Sequence, residues 1–220
     1  MLERHDASTH QGEKTLAELL YFVDPMCSWC WGFAPVIAQI AKRYGGELPL
    51  RIFLGGLAVG VEKPLGDTGK AKIEEHWHHV EKETGQTFDY AFFERQGFVY
   101  NSELPSYAVV AVRNANLDAL YFCTALQKAF YQRNLDITSP STLVEVAREN
   151  GLDEVSFRAS LDDPLNIEDA KKDFELTKRL GIQGFPALLG MANNKIELIT
   201  MGYQNFRALL PKLDAWREEL

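Results

Sequence analysis

The chain of 220 residues is 46% hydrophobic and 25% charged, with three cysteines and a formal net charge of −8, a composition able to bury a core in one or two domains. No stretch approaches the roughly 18 to 20 apolar residues of a membrane span, and the negative balance argues against a nucleic-acid backbone or an anionic bilayer as the main partner. Three cysteines cannot make a disulfide scaffold, so the close pair Cys27 and Cys30 is the chemistry to explain.

In chain order, Met1 to Lys14 is polar and aperiodic and reads as a frayed tail. It holds no apolar segment leading into a small-residue cleavage site, and the expectation is cytoplasmic residence. Residues 16–24 are a short apolar run ended by Asp24-Pro25, as in a buried strand. Val36, Ile37, Ile40 and Tyr44 then recur at helical spacing up to Gly45-Gly46. Leu48, Leu50, Ile52 and Leu54 alternate as a second strand that stops at Gly55-Gly56. The middle of the chain turns helical, with candidates at 69–84, 90–96, 106–114, 119–131 and 139–150. Ser139 is the expected cap of the last, Pro140 its first residue and Gly151 its left-handed close. Ile167, Ala170, Phe174 and Thr177 mark a further helix. Residues 186–191 and 195–201 form a hairpin across Asn193-Asn194, and Phe206, Leu209, Leu210, Leu213 and Trp216 a closing amphipathic helix. The order is β-α-β, a helical insertion, then α-β-β-α, with parallel pairing at the start and antiparallel pairing at the end.

The segment D-P-M-C-S-W-C-W-G-F puts Cys27 and Cys30 directly after the first strand, at the start of the first helix. The unpaired N–H groups and positive dipole end of a helix favour thiolate over thiol there, which makes Cys27 the expected attacking nucleophile. Cys30, one turn in, is the expected resolving thiol. A zinc site would need two more ligands, and the remaining Cys123 sits alone in a helical segment, where it reads as a core residue. His76, His78 and His79 lack a third ligand nearby and read as a polar helix face, so no metal is expected. Gly55-Gly56 with Gly60 matches no phosphate-loop spacing and reads as a close backbone approach near the site. Far along the chain, G-I-Q-G-F-P places Phe185-Pro186 at the start of the hairpin, where a proline without an N–H fits a strand start.

These residues, in this order, resemble the DsbA-like branch of the thioredoxin superfamily. The cysteine segment together with L-G-G-L at 54–57 is similar to its FrnE-like, protein-disulfide-isomerase subgroup. The resemblance implies an α/β, thioredoxin-like fold with a helical insertion: one domain over 1–220, its core at about 15–58 and 152–220 and the insertion at about 59–151, lidding the site. It implies that Pro186 is cis and faces the dithiol, that the backbone around Phe185 pairs with extended substrate, and that Ser28, Trp29, Trp31, Phe185 and Pro186 contact it. The implied activity is thiol-disulfide exchange on protein or small-molecule disulfides. No cofactor is implied beyond the Cys27–Cys30 disulfide, with glutathione a candidate reductant. The alternatives are a ClpXP-adaptor type of binding module and a glutathione-linked isomerase or transferase, the latter disfavoured by the presence of both cysteines. Two points depart from strongly oxidising members or stay open. Ser28-Trp29 supplies no histidine between the cysteines, and Asp24 reads either as a proton relay or as a turn with a solvated carboxylate.

Overall fold

A computed structural model describes residues 17–220, so the polar tail expected at Met1 to Lys14 lies outside the described residues. β1 (Ala17–Val23) is buried from Leu19 onward without alternation, because both faces of the sheet are covered at this strand. α1 (Ser28–Tyr44) follows and leads to β2 (Leu50–Leu54), which pairs parallel to β1 with Tyr21 opposite Ile52. β3 (Ala187–Ala192) and β4 (Lys195–Met201) complete a four-stranded sheet of order β2-β1-β3-β4, with β3 antiparallel to both its neighbours. Asn193 and Asn194 adopt φ of 51° and 60°, the pair of left-handed residues that a two-residue hairpin turn requires.

Between β2 and β3 come α2 (Asp67–Thr84), a 3-10 turn (Tyr90–Glu94), α3 (Glu103–Asn114), α4 (Ala119–Tyr131), α5 (Pro140–Glu149), α6 (Glu154–Leu161) and α7 (Pro164–Arg179), and α8 (Phe206–Glu218) ends the chain. One face of the sheet, with Leu19, Tyr21, Val23, Ile52, Leu54 and Leu188, packs into the large core shared with α1, α8 and the helical block. The other face, with Leu20, Phe22, Phe53, Ala187 and Leu189, closes under Leu176 of α7 and, just beyond that helix, Leu180 and Ile182. Gly32 lets α1 approach α2, since a Cβ there would stand 2.8 Å from Val80 Cγ1. The outward backbone of β2 is occupied: Arg113 Nη1 donates to the Ile52 carbonyl at 2.9 Å, and the Leu54 N–H donates to Asp173 Oδ2 at 3.0 Å.

Two expectations are corrected, and one helix had none. Where the sequence predicts a helix at 90–96, Tyr90–Glu94 form a short 3-10 turn, capped by Asp89, that seats Phe92 and Phe93 against Trp77; five residues give no room for an α-helical ladder. α6 had no sequence expectation, because only Phe157 and Leu161 of its eight residues are buried and two apolar positions make a faint period. Ser139 does precede α5, with Pro140 at its first position, but its hydroxyl meets Ser141 Oγ at 2.8 Å instead of a free N–H. Gly151 does adopt the left-handed φ, 79°, just beyond that helix.

Candidate redox site

The turn after β1 brings the cysteines to the sheet's end. Asp24 accepts the Met26 N–H at 2.9 Å through Oδ1 while its carbonyl accepts the Cys27 N–H at 3.1 Å, which folds Asp24-Pro25-Met26-Cys27 into a tight turn. Cys27 is the N-cap of α1, with extended backbone and its carbonyl already accepting the Trp31 N–H. Its side chain therefore lies where the first amides of α1 are unpaired. Cys30 is one turn further and fully buried, whereas Cys27 retains 7% exposure; the structure holds both as thiols. Burial pushes the Cys30 thiol well up, and the neighbouring Cys27 adds to this.

The loop before β3 meets this turn from the other side. The Phe185–Pro186 peptide bond is cis, and the Cys27 thiol donates to the Phe185 carbonyl at 3.6 Å. Pro186 is buried, its carbonyl taken by the Gly202 N–H at 2.7 Å. Phe185 is half-buried, and its ring lies on Gly55, where a Cβ would collide with the ring tip. The close approach expected of Gly55 is thus a contact that shapes the site, while Gly56 beside it needs its φ of 67°.

Ser28 and Trp29 are half-buried at the rim. Trp29 packs on Tyr203, ring centroids 6.1 Å apart, and with Phe185, Gly202 and Glu83 of α2 these residues line an open pocket of about 380 Å³. Trp31 is not a wall of the site. It is 4% exposed, stacks on Tyr131 and donates Nε1–H to the Thr87 carbonyl at 3.2 Å, because a residue one position past Cys30 faces the helical block.

Asp24 departs from the solvated turn carboxylate considered above. It has no exposed surface, and its Oδ2 accepts from the Leu57 N–H and the Ser102 hydroxyl, both at 2.8 Å. Burial raises its carboxyl above the usual carboxylate range, and the donors of Met26, Leu57 and Ser102 pull only partly back. Tyr100 donates its hydroxyl to the Met26 carbonyl, so the segment before α3 reaches the turn twice. Ser102, Tyr100, Glu83 and Tyr203 were not singled out in the sequence. The one local signal was N-S-E-L-P at 101–105, a helix start whose cap, Ser102, spends its hydroxyl on Asp24 instead of its own helix.

Cys123 is buried in α4, and burial pushes its thiol up. His78 stacks on Tyr90 at 4.5 Å between centroids, with His76 and His79 exposed on the same helix. Among the described residues no group of three or more His, Cys, Asp or Glu side chains is arranged to hold a metal ion, and no helix is long and apolar enough to cross a membrane.

Residues 18–214 match the DSBA-like thioredoxin domain. The chain belongs to the DSBA-like thioredoxin family. Among solved structures, a Nitrosomonas europaea protein provisionally named a protein disulfide isomerase superposes with a TM-score of 0.87 at 35% identity, over 92% of this chain and 98% of that one. The cytosolic disulfide reductase DsbM of Pseudomonas aeruginosa superposes with a TM-score of 0.77 over 92% of this chain and all of that one; at 24% identity it bears on the fold alone. Among curated proteins, the ClpXP adapter protein SpxH of Bacillus subtilis is 25% identical over 190 residues, 84% of this chain and 62% of SpxH, so the chain spans under two thirds of that relative's length. The fold is that of the DsbA-like thiol-disulfide oxidoreductases, with the CxxC pair at the helix start and the cis proline opposite.

Proposed function

We propose that the protein is a thiol-disulfide oxidoreductase acting on disulfides of proteins or small molecules. The supporting observation is the juxtaposition of the Cys27 thiol, at the N-cap of α1, with the Phe185 carbonyl at 3.6 Å, beside a fully buried Cys30. In the reducing direction the Cys27 thiolate attacks one sulfur of the substrate disulfide and releases the first thiolate. Cys30 then attacks Cys27 Sγ, releasing the second thiolate and closing the Cys27–Cys30 disulfide. An extended substrate segment would pair with the backbone at Phe185, while Ser28, Trp29 and Pro186 shape the contact. A buried Cys30 gives up its proton reluctantly, and Asp24, the buried carboxyl beneath the turn, is the proposed relay.

The reading needs no cofactor beyond the cysteine pair, with glutathione as the proposed recycling reductant. It assigns the protein to the cytoplasm, in keeping with a chain whose one further cysteine is buried in the core. Isomerase activity is the finer form of the same proposal, favoured by the likeness to the Nitrosomonas europaea protein. A Cys30→Ser variant incubated with a disulfide-bonded protein should accumulate mixed disulfides through Cys27 on a non-reducing gel, and their absence would overturn the mechanism. The likeness to SpxH favours a second reading, an adaptor for a protein partner of ClpXP. If replacing both cysteines leaves such partner capture intact while surface changes abolish it, the adaptor reading stands instead.

A further inference from the structure

The open pocket beside the dithiol has one charged group in its lining. Trp29 leads to it from between the cysteines and Phe185 from the carbonyl that holds the Cys27 thiol, while Gly202 and Tyr203 form its floor from the segment after β4. The remaining member, Glu83, comes from the last turn of α2 and is exposed. Burial raises the Tyr203 phenol and the charge of Glu83 adds to this, and the Tyr203 ring packs against Trp29. Three aromatic side chains and a carboxylate lining one open space form a set suited to an ammonium or guanidinium group, which aromatic rings and a carboxylate both attract. The carbonyl end of α2, closing at Gly85, adds partial negative charge on the same side. Lys82 is exposed and is not part of the lining.

We infer that Glu83 is a specificity-determining residue that selects disulfides carrying a positive charge close to the sulfur, such as a cysteine flanked by lysine or arginine or a small amine-bearing disulfide, over those carrying carboxylates. The inference rests on the oxidoreductase reading and names the substrate class of the same site. The reaction is balanced by the protein itself: the reduced Cys27–Cys30 dithiol is oxidised to the disulfide as one substrate disulfide is reduced to two thiols.

The test is a single-turnover experiment on the full chain, reduced and then freed of reductant, with three symmetric disulfides of similar size: cystamine, 2-hydroxyethyl disulfide and 3,3′-dithiodipropionate. Loss of the Cys27 and Cys30 thiols is followed by acid quench, alkylation and mass measurement, and each rate is expressed as variant over wild type, which cancels the intrinsic reactivity of each probe. Glu83→Gln should slow cystamine about fivefold, speed dithiodipropionate by a comparable factor and leave the neutral probe within about twofold, as expected for one charge acting over a few ångströms of solvated space. The contrast should shrink at high ionic strength. Glu83→Lys should invert the order of the charged probes. If cystamine is unaffected, or all three rates move together, Glu83 does not select by charge and the inference is overturned while the oxidoreductase reading stands. If wild type does not react even with the neutral probe, both fall.

Discussion

Asp24 is a carboxyl group without exposed surface: two backbone N–H groups and one hydroxyl point at it, yet burial outweighs them. Its carboxyl therefore holds a proton to higher pH in the folded chain than in the unfolded one. Over that interval the folded state binds more protons, so the stability linked to Asp24 is present at low pH and is lost as pH rises through the folded value. Asp24→Asn carries no titration, and the decline in unfolding free energy as pH rises above the ordinary carboxylate range should be smaller in the variant. Urea unfolding of the Cys27–Cys30 disulfide form, in which neither thiol titrates, measures this, and equal slopes in the two proteins would refute it. Gly55 makes a second residue-scale argument. A methyl group there collides with the Phe185 ring, so Gly55→Ala must move the residue whose carbonyl holds the Cys27 thiol. We expect oxidation of the dithiol by a neutral disulfide to slow on the order of tenfold or more, with a stability loss of about 1–3 kcal/mol from overpacking. An unchanged rate would show that Phe185 can give way at no cost to the reaction.

At the scale of elements, β2 is an edge strand whose outward backbone is satisfied by two helices of the block, α3 and α7. Arg113 of α3 bridges the Ile52 carbonyl and Asp173 of α7, Nη1 to Oδ2 being 2.6 Å, and Asp173 takes the Leu54 N–H. Removing the cation strands a carboxylate with 7% exposure. Arg113→Ala should cost roughly 3 kcal/mol, the lower end for a broken buried pair because Arg113 keeps some contact with water, and a loss under about 1 kcal/mol in chemical denaturation would make the bridge incidental. Which elements were legible follows from the same physics. The strands, α1, α4, the Asn193-Asn194 hairpin and α8 each carry a full apolar period or a turn residue with one conformation open to it, and they stand where their residues place them. α6 carries two buried residues and the 3-10 turn five residues in all, too little for a period to form. Arg113 and Asp173 bear on the edge of β2 from 60 positions apart, and no local pattern announces a contact of that separation.

Over the whole molecule the helical block is stitched to the redox turn by hydrogen bonds from a short stretch of chain. Gln86 Nε2 donates to the Trp31 carbonyl at 3.0 Å, the Thr87 carbonyl accepts from Trp31 Nε1, Tyr100 donates to the Met26 carbonyl, and Ser102 donates to Asp24 while accepting the Ala58 N–H at 3.1 Å. The cysteines and Phe185-Pro186 could be read from the sequence because their residue types carry the chemistry. The stitching could not, since a serine or glutamine gives no sign of its partner. It is nonetheless how a distant segment can set the state of the buried carboxyl. Ser102→Ala removes a donor that lowers the Asp24 carboxyl and leaves the Ala58 amide without its acceptor. We expect a stability loss of about 1–2 kcal/mol, and because Asp24 then holds its proton to still higher pH, the decline of stability with rising pH should extend further than in wild type. Adding Ser102→Ala to Asp24→Asn should produce no such extension. A packing contact of equal strength would cost the same at every pH in both backgrounds, so parallel curves for Ser102→Ala and wild type would reduce Ser102 to a structural contact and separate the helical block from the proton at the redox turn.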